Sequence, residues 1–265
     1  MKTLARYLRL FRVQVRMSLL VGMQYRYDFV IDGLLSIFWT ITALVPLFVI
    51  FHQRQTIAGW SFPAALLVTG WFTLLEGVLE GAINPSLSGV VEHIRKGTLD
   101  FVLLKPADAQ FLVSTTKFEP WRATNVLTAL ALFVWAFLQM GRAPDALGLL
   151  EAGVLLIAAS LVLYSLWILT VSLAFRVVKV DNLTYLFSSI YDAARWPISV
   201  FQGFLRFVFT FVIPLALMTT YPAQAMLGQL PGWKLLASVC GACAFAALAR
   251  AVWLRSIRHY TSASS

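Results

Sequence analysis

Two carboxylates four residues apart, Glu76 and Glu80, stand in an otherwise apolar stretch. On a helix, residues at i and i+4 share a face. Carboxylates inside a membrane are costly, and they mark a bundle interior or a watery cavity. The chemistry open to such a pair is proton relay or contact with a cargo. The milder reading pairs them with Arg26, Lys117 or Arg122. Gly77 and Gly81, on much the same side, form a G-x-x-x-G that lets another helix approach closely. Other reactive residue types are sparse. Cys240 and Cys243 match C-x-x-C, but a redox thiolate needs an exposed helix start. Here they sit inside an apolar run, where small-residue packing is the expectation. His52, His93 and His259 are far apart and offer no metal-ligand spacing. Asp192, Arg195 and Arg206 form a candidate ion-pair cluster or a contact to cargo. No G-x-x-x-x-G-K-[ST] occurs, so there is no backbone cradle or lysine for nucleotide phosphates. No His, Asp or Cys constellation converges as a membrane-embedded enzyme would need.

The elements that position these residues follow from composition. Of 265 residues, 60% are hydrophobic and only 12% charged. A soluble domain carries roughly twice that charge, so an ordinary soluble fold is excluded. Disorder and fibrous repeats fall with it. Mean hydropathy of +0.79 indicates an integral membrane protein. The net charge of +9 fits basic loops and lipid headgroups rather than nucleic acid. Two cysteines make no disulfide framework.

Residues 2–26 read as an amphipathic interfacial helix. At about 100° per residue, Leu4, Leu8, Phe11 and Val15 share one face and Lys2, Arg9, Arg12 and Arg16 the other. It either flanks the membrane and sets topology, or packs as an elbow against a partner subunit. The basic stretch is too long for a signal-peptide n-region, and the apolar run after it reads as an uncleaved span. Against the roughly 20 residues needed to cross a bilayer, spans are expected at Phe29–Phe51, Phe62–Ile83, Trp121–Met140, Leu147–Phe175 and Trp233–Trp253. Val180–Trp196 is a shorter, more polar candidate, and 84–110 is read as a loop. The stretch 200–230 is either a full span or a re-entrant hairpin broken at Pro214 and Pro222. Charge arbitrates. With both termini cytoplasmic and 200–230 re-entrant, all 21 Lys and Arg fall inside except Arg54, Arg142, Arg195, Arg206 and Lys234. A seventh span weakens that bias. The expected fold is therefore all-α, one polytopic transmembrane domain over 1–265. It has six transmembrane helices, an N-terminal interfacial helix and a re-entrant helical hairpin before the last span.

The most informative loop runs from Val91 to Pro106. Leu99, Val102, Leu103 and Pro106 make an apolar ridge at helical spacing, ringed by Glu92, Arg95, Lys96, Asp100 and Lys105. A short amphipathic helix there lies on lipid or plugs into a partner. The run Arg95-Lys96-Gly97-Thr98-Leu99-Asp100, then Leu103-Leu104 and Pro106, resembles the loop between spans two and three of type-2 ATP-binding-cassette (ABC) exporter permeases. A second stretch resembles the tail of one branch of that family: Arg195-Trp196-Pro197, Gly203, Arg206, Thr210 to Pro214, Pro222-Ala223 and Gly228.

The resemblance implies the membrane permease of an ABC exporter in a bacterial inner membrane. Two permease chains, identical or related, would pair, and two copies of a separate ATPase subunit would dock below them. ATP and Mg would bind that subunit, with no cofactor on this chain. The loop would act as a coupling helix. Carried over by position, Glu92, Arg95, Lys96, Gly97, Thr98, Leu99, Asp100, Leu103 and Pro106 are the expected ATPase contacts. Lys96 departs from the acidic-rich form of that loop and leaves the polarity of the contact open. An apolar, aromatic-lined path suits a hydrophobic or amphipathic substrate. The alternative is an ion-coupled secondary transporter using Glu76 and Glu80, which predicts internal repeats. None is visible between the two halves.

Overall fold

The computed structural model describes residues 2–24, 26–175 and 188–260, and the side chains of all of these except 2, 3, 26–30 and 32. The chain opens with α1 (Lys2–Gln24) and α2 (Arg26–Gln53). A two-residue hairpin, β1 (Thr56–Ile57) with β2 (Trp60–Ser61), then turns it around. Ala58 and Gly59 both have positive φ, as the tightest hairpin turns require. Next come α3 (Phe62–Val78), a π-helical turn (Leu79–Ile83), α4 (Asn84–Arg95), α5 (Asp100–Leu103) and α6 (Ala109–Ser114). After a 3-10 turn at Pro120–Arg122 follow α7 (Ala123–Met140) and α8 (Ala146–Leu173). A short helix α9 (188–192) leads through 3-10 turns to α10 (Gly203–Phe207), α11 (Tyr221–Met226) and α12 (Gly232–Arg258).

Five helical runs are long and apolar enough to cross a membrane: Gly33–Gln53, Phe62–Arg95, Pro120–Met140, Ala146–Leu173 and Gly232–Arg258. The protein is an all-α polytopic membrane protein. Most of the expected fifth span, Val180–Trp196, lies outside the described residues. Its described part is α9 and a 3-10 turn.

The second run departs from expectation. It does not stop at Ile83; 84–95 is helix, not loop, and the run is 34 residues long. At 1.5 Å per residue that is roughly 50 Å, well beyond the hydrocarbon thickness. Pro85 would normally break such a helix, because it removes a hydrogen bond four residues back. Here the π-helical turn resets the register just before it. The Gly81 carbonyl accepts instead from the Glu119 backbone N–H at 2.8 Å.

α7 lies along α3, and α12 along α8. The G-x-x-x-G does what its spacing suggests. A Cβ at Gly77 would come within 3.0 Å of the Asn125 Cβ, and one at Gly81 within 3.1 Å of the Arg122 Cβ. Two backbones can approach this closely only where one side has no side chain.

Between α9 and α12 the chain forms a bent pair, Gly203–Val212 and Ala216–Met226, whose second arm turns 72° from the line of the first. The break falls at Pro214, as expected. Pro222 breaks nothing: it sits in the first turn of α11, where its missing N–H has no partner to lose. Both ends of the pair lie at the same end of the bundle. Gly203 shares a cavity with Trp60 of the hairpin, and the Leu227 carbonyl accepts from Arg142 at 3.4 Å.

α1 docks through a face that shares Phe11 with the apolar row but is otherwise turned from Leu4 and Leu8. Tyr7, Phe11, Gln14 and Ser18 form its contact row. The Tyr7 hydroxyl accepts from the Asp108 N–H at 2.9 Å, Thr115 donates to Gln14, and Ser18 accepts from the Phe118 N–H at 3.0 Å. Tyr7 and Phe11 meet Phe111 and Phe118 edge to face. Leu4 and Leu8 remain exposed, as suits a lipid surface.

Candidate functional site

The peg at the end of α4 is built by its glycine. Gly97 has φ +67°, the left-handed conformation that ends a helix. The Thr98 N–H bonds back to the His93 carbonyl at 2.9 Å and the Gly97 N–H to the Ile94 carbonyl at 3.3 Å. This double closure turns the chain sharply and starts α5 at Asp100. Gly97 is therefore a backbone device. The Thr98 hydroxyl is also occupied, at 2.7 Å from His93 Nδ1.

The turn sorts the expected contacts. Leu99 is 0% exposed, and Val102 and Leu103 pack on the same core. The anticipated apolar ridge thus holds the peg to its own chain. The outward apolar residues are Phe101, 70% exposed, and Leu104, 81% exposed. Glu92, Arg95, Lys96 and Pro106 surround them on the surface, with Lys96 paired to Glu92 at 2.7 Å. A signal for Phe101 and Leu104 did exist. Residues 101–104 are apolar on every side, and such a turn at a bundle end needs an apolar neighbour on two sides.

The segment after the peg is bolted to the last span. Arg250 on α12 donates to both Asp108 oxygens, at 3.1 and 2.5 Å, and to Gln110 Oε1 at 2.8 Å. Asp108 also caps α6 by accepting from the Phe111 N–H. Gln110 and Ser114 both reach the Tyr164 hydroxyl on α8. Hydrogen bonds with defined directions thus tie this segment to α8 and α12. A pair 142 residues apart leaves no local trace in sequence.

Burial opposes ionisation of Asp108, but the Arg250 hydrogen bond and the Phe111 N–H outweigh it and hold its carboxyl below the usual aspartate range. A carboxyl held low in the folded state contributes stability above its unfolded pKa. That contribution is lost as pH falls through the folded value. Asp108→Asn is therefore expected to melt below wild type at pH 7, by about 1 kcal/mol because both partners are a third or more exposed. The gap closes as pH is lowered through the acid range. Thermal melts from pH 7 to pH 3 check this, and a gap independent of pH would contradict it.

The two intramembrane carboxylates have different hydrogen-bond surroundings. Glu80 lies in the π-helical turn, near enough to Glu76 for their charges to interact. Glu80 accepts from Asn84 at 3.0 Å, which in turn accepts from Trp167 on α8 and from Ser88. Glu76 lines a cavity of about 500 Å³ bounded by α2, α3, the start of α7, Asp192 and Arg195. Of the cations expected to pair with them, Lys117 binds Glu119 at 3.1 Å, and Arg122 lines the Glu76 cavity. The Arg26 side chain lies outside the described residues.

The Arg195 guanidinium sits 4.7 Å over the Phe72 ring, about ten residues, or roughly 15 Å, along α3 from Phe62. Asp192, 3.1 Å away, supplies its counter-charge there. The expected cluster with Arg206 does not form. Arg206 shares a cavity at the hairpin end with Lys234 and Gln224. Pro197 is buried beneath the turn whose Ile198 N–H donates to Thr220, and Gly203 opens α10. Cys240 and Cys243 are free and exposed on the outer face of α12 rather than packed within the chain. Among the described residues no cluster of His, Cys, Asp and Glu could hold a metal.

A family model described as ABC-2 family transporter protein matches residues 37–264. Comparisons with curated proteins and with solved structures return no match.

Proposed function

Since the chain belongs to the ABC-2 transporter family and is a membrane transport component, we propose that it is the permease subunit of an exporter. It moves a hydrophobic or amphipathic substrate out of the cytoplasm using ATP hydrolysed on a separate subunit. Two copies of that ATPase, carrying the ATP and Mg, dock at the peg end. A second permease chain, identical or related, completes the path. The chain resides in a bacterial inner membrane with both termini cytoplasmic, and 200–230 dips in from the opposite face. Lipid covers the largely exposed apolar surface of α2 that the second permease leaves free.

The observation that carries this reading is the peg. Phe101 and Leu104 are apolar and exposed, in a turn whose exposed sequence neighbours include Arg95, Lys96 and Lys105. Behind them, Asp108 and Arg250 tie the same segment to α12. Exposed apolar side chains on a rigid mount are what a partner cleft needs. Glu76 and Glu80, which the ion-coupled alternative would use, differ in surroundings: Glu80 bonds to Asn84 and Glu76 lines a cavity. Purification of a tagged chain from its native membrane is expected to recover a P-loop ATPase. In vesicles, that complex transports only with hydrolysable ATP. Transport by the isolated chain down an ion gradient would overturn the proposal.

A further inference from the structure

The Glu76 cavity has a chemistry of its own. Glu76 makes no hydrogen bond or close ion pair among the described residues, and Arg195 and Arg122 act on it only at longer range. A carboxylate at this depth without a partner is costly, and a cavity beside it leaves room for one. Of the charges lining the space, Glu119 is paired with Lys117, and Arg195 is taken by Asp192 and the Phe72 face. Glu76 and Arg122 are left without a close counter-ion among the described residues, so a head group carrying both a cation and an acceptor answers both. The Nε atoms of Arg122 and Arg195 are buried and have no hydrogen-bond acceptor among the described residues. An unmet buried donor favours any acceptor brought near it.

The mouth is apolar. Leu35 and Trp39 line the cavity and are also about half or more exposed on α2. An alkyl chain can leave through that gap while its head stays inside.

From this geometry we propose that the cavity binds an amphiphile whose head carries a primary ammonium with a hydrogen-bond-accepting oxygen beside it. The ammonium pairs with Glu76, the oxygen accepts from the free Arg122 or Arg195 N–H, and the tail runs past Leu35 and Trp39. The proposal rests on the exporter reading, for which it names the cargo class, but its test needs no ATPase.

Binding of tritiated sphingosine, a long-chain amino alcohol, is measured on the purified full chain by scintillation proximity. Glu76→Gln is expected to weaken binding at least tenfold, while Glu80→Gln, outside the cavity, stays within threefold of wild type. On the wild-type chain, an N-acetylated short-chain sphingosine, which lacks the ammonium, competes at least tenfold more weakly than sphingosine. Unchanged binding by Glu76→Gln, equal competition by the N-acetylated compound, or better displacement by dodecyl phosphate would each overturn the site. Failure of the site leaves ATPase recovery intact. Failure of the exporter reading removes ATPase recovery but leaves sphingosine binding.

Discussion

Replacing Phe101 and Leu104 together by glutamate is expected to release the ATP-binding subunit and lower ATP-driven transport by about 100-fold or more. Interface side chains that are apolar and central carry about 2 kcal/mol or more each when lost. A carboxylate added in their place must also be desolvated on docking. The two side chains are 70% and 81% exposed, so neither substitution disturbs the permease itself. Wild-type melting with lost subunit binding is the expected pattern. By contrast, Leu99→Glu places a charge where the side chain is fully buried and is expected to unfold the peg. The two outcomes separate a contact residue from a mounting residue within six positions of one loop. ATPase recovery and transport, measured beside thermal melting, read both.

The second large effect concerns the bent pair. Gly148, near the start of α8, faces the backbone of Ala225. A Cβ there would collide with the Ala225 carbonyl oxygen and lie 3.3 Å from its carbonyl carbon. Glycine to alanine inside a helix normally stabilises by up to about 1 kcal/mol. At Gly153, five residues along the same helix, a Cβ meets nothing within 4 Å, and the ordinary gain is expected. At Gly148 the sign reverses. Backbone cannot rotate away as a side chain can, so Gly148→Ala is expected to destabilise by about 2–3 kcal/mol. The melting midpoint should then fall by roughly 5–10 °C. Melts of the two alanine variants in detergent settle it, and equal shifts would refute the close packing.

These effects mark where sequence reasoning reaches and where it stops. The helical class and five of the expected spans follow from composition, because hydrophobic length is a local property. The close approach of α3 and α7 was legible in Gly77 and Gly81 for the same reason. The continuation of α3 through Pro85 was not. It depends on a π-helical turn and on the Glu119 N–H taking over the Gly81 carbonyl. Glu80 falls within that turn and bonds to Asn84, while Glu76 lines the cavity, a difference that helical spacing alone does not show. In the peg, Leu99 was expected to face a partner and is instead buried. Leu99 and Gly97 shape the turn, whereas Phe101 and Leu104 meet the surroundings. A periodicity argument assumes one apolar face, and this short turn carries apolar side chains on both its buried and its exposed side. The Asp108–Arg250 pair and the docking row on α1 arise from tertiary packing and leave no local mark.

The central claim is that the peg meets a nucleotide-hydrolysing subunit through Phe101 and Leu104. Its most direct test is a photo-crosslinking residue placed at 101 or 104, with position 111, held under α1, as control. The expected result is a covalent adduct from 101 and 104 with a P-loop ATPase, its yield changing when nucleotide is trapped, and no such adduct from 111. Adducts from 101 and 104 with lipid alone would contradict it.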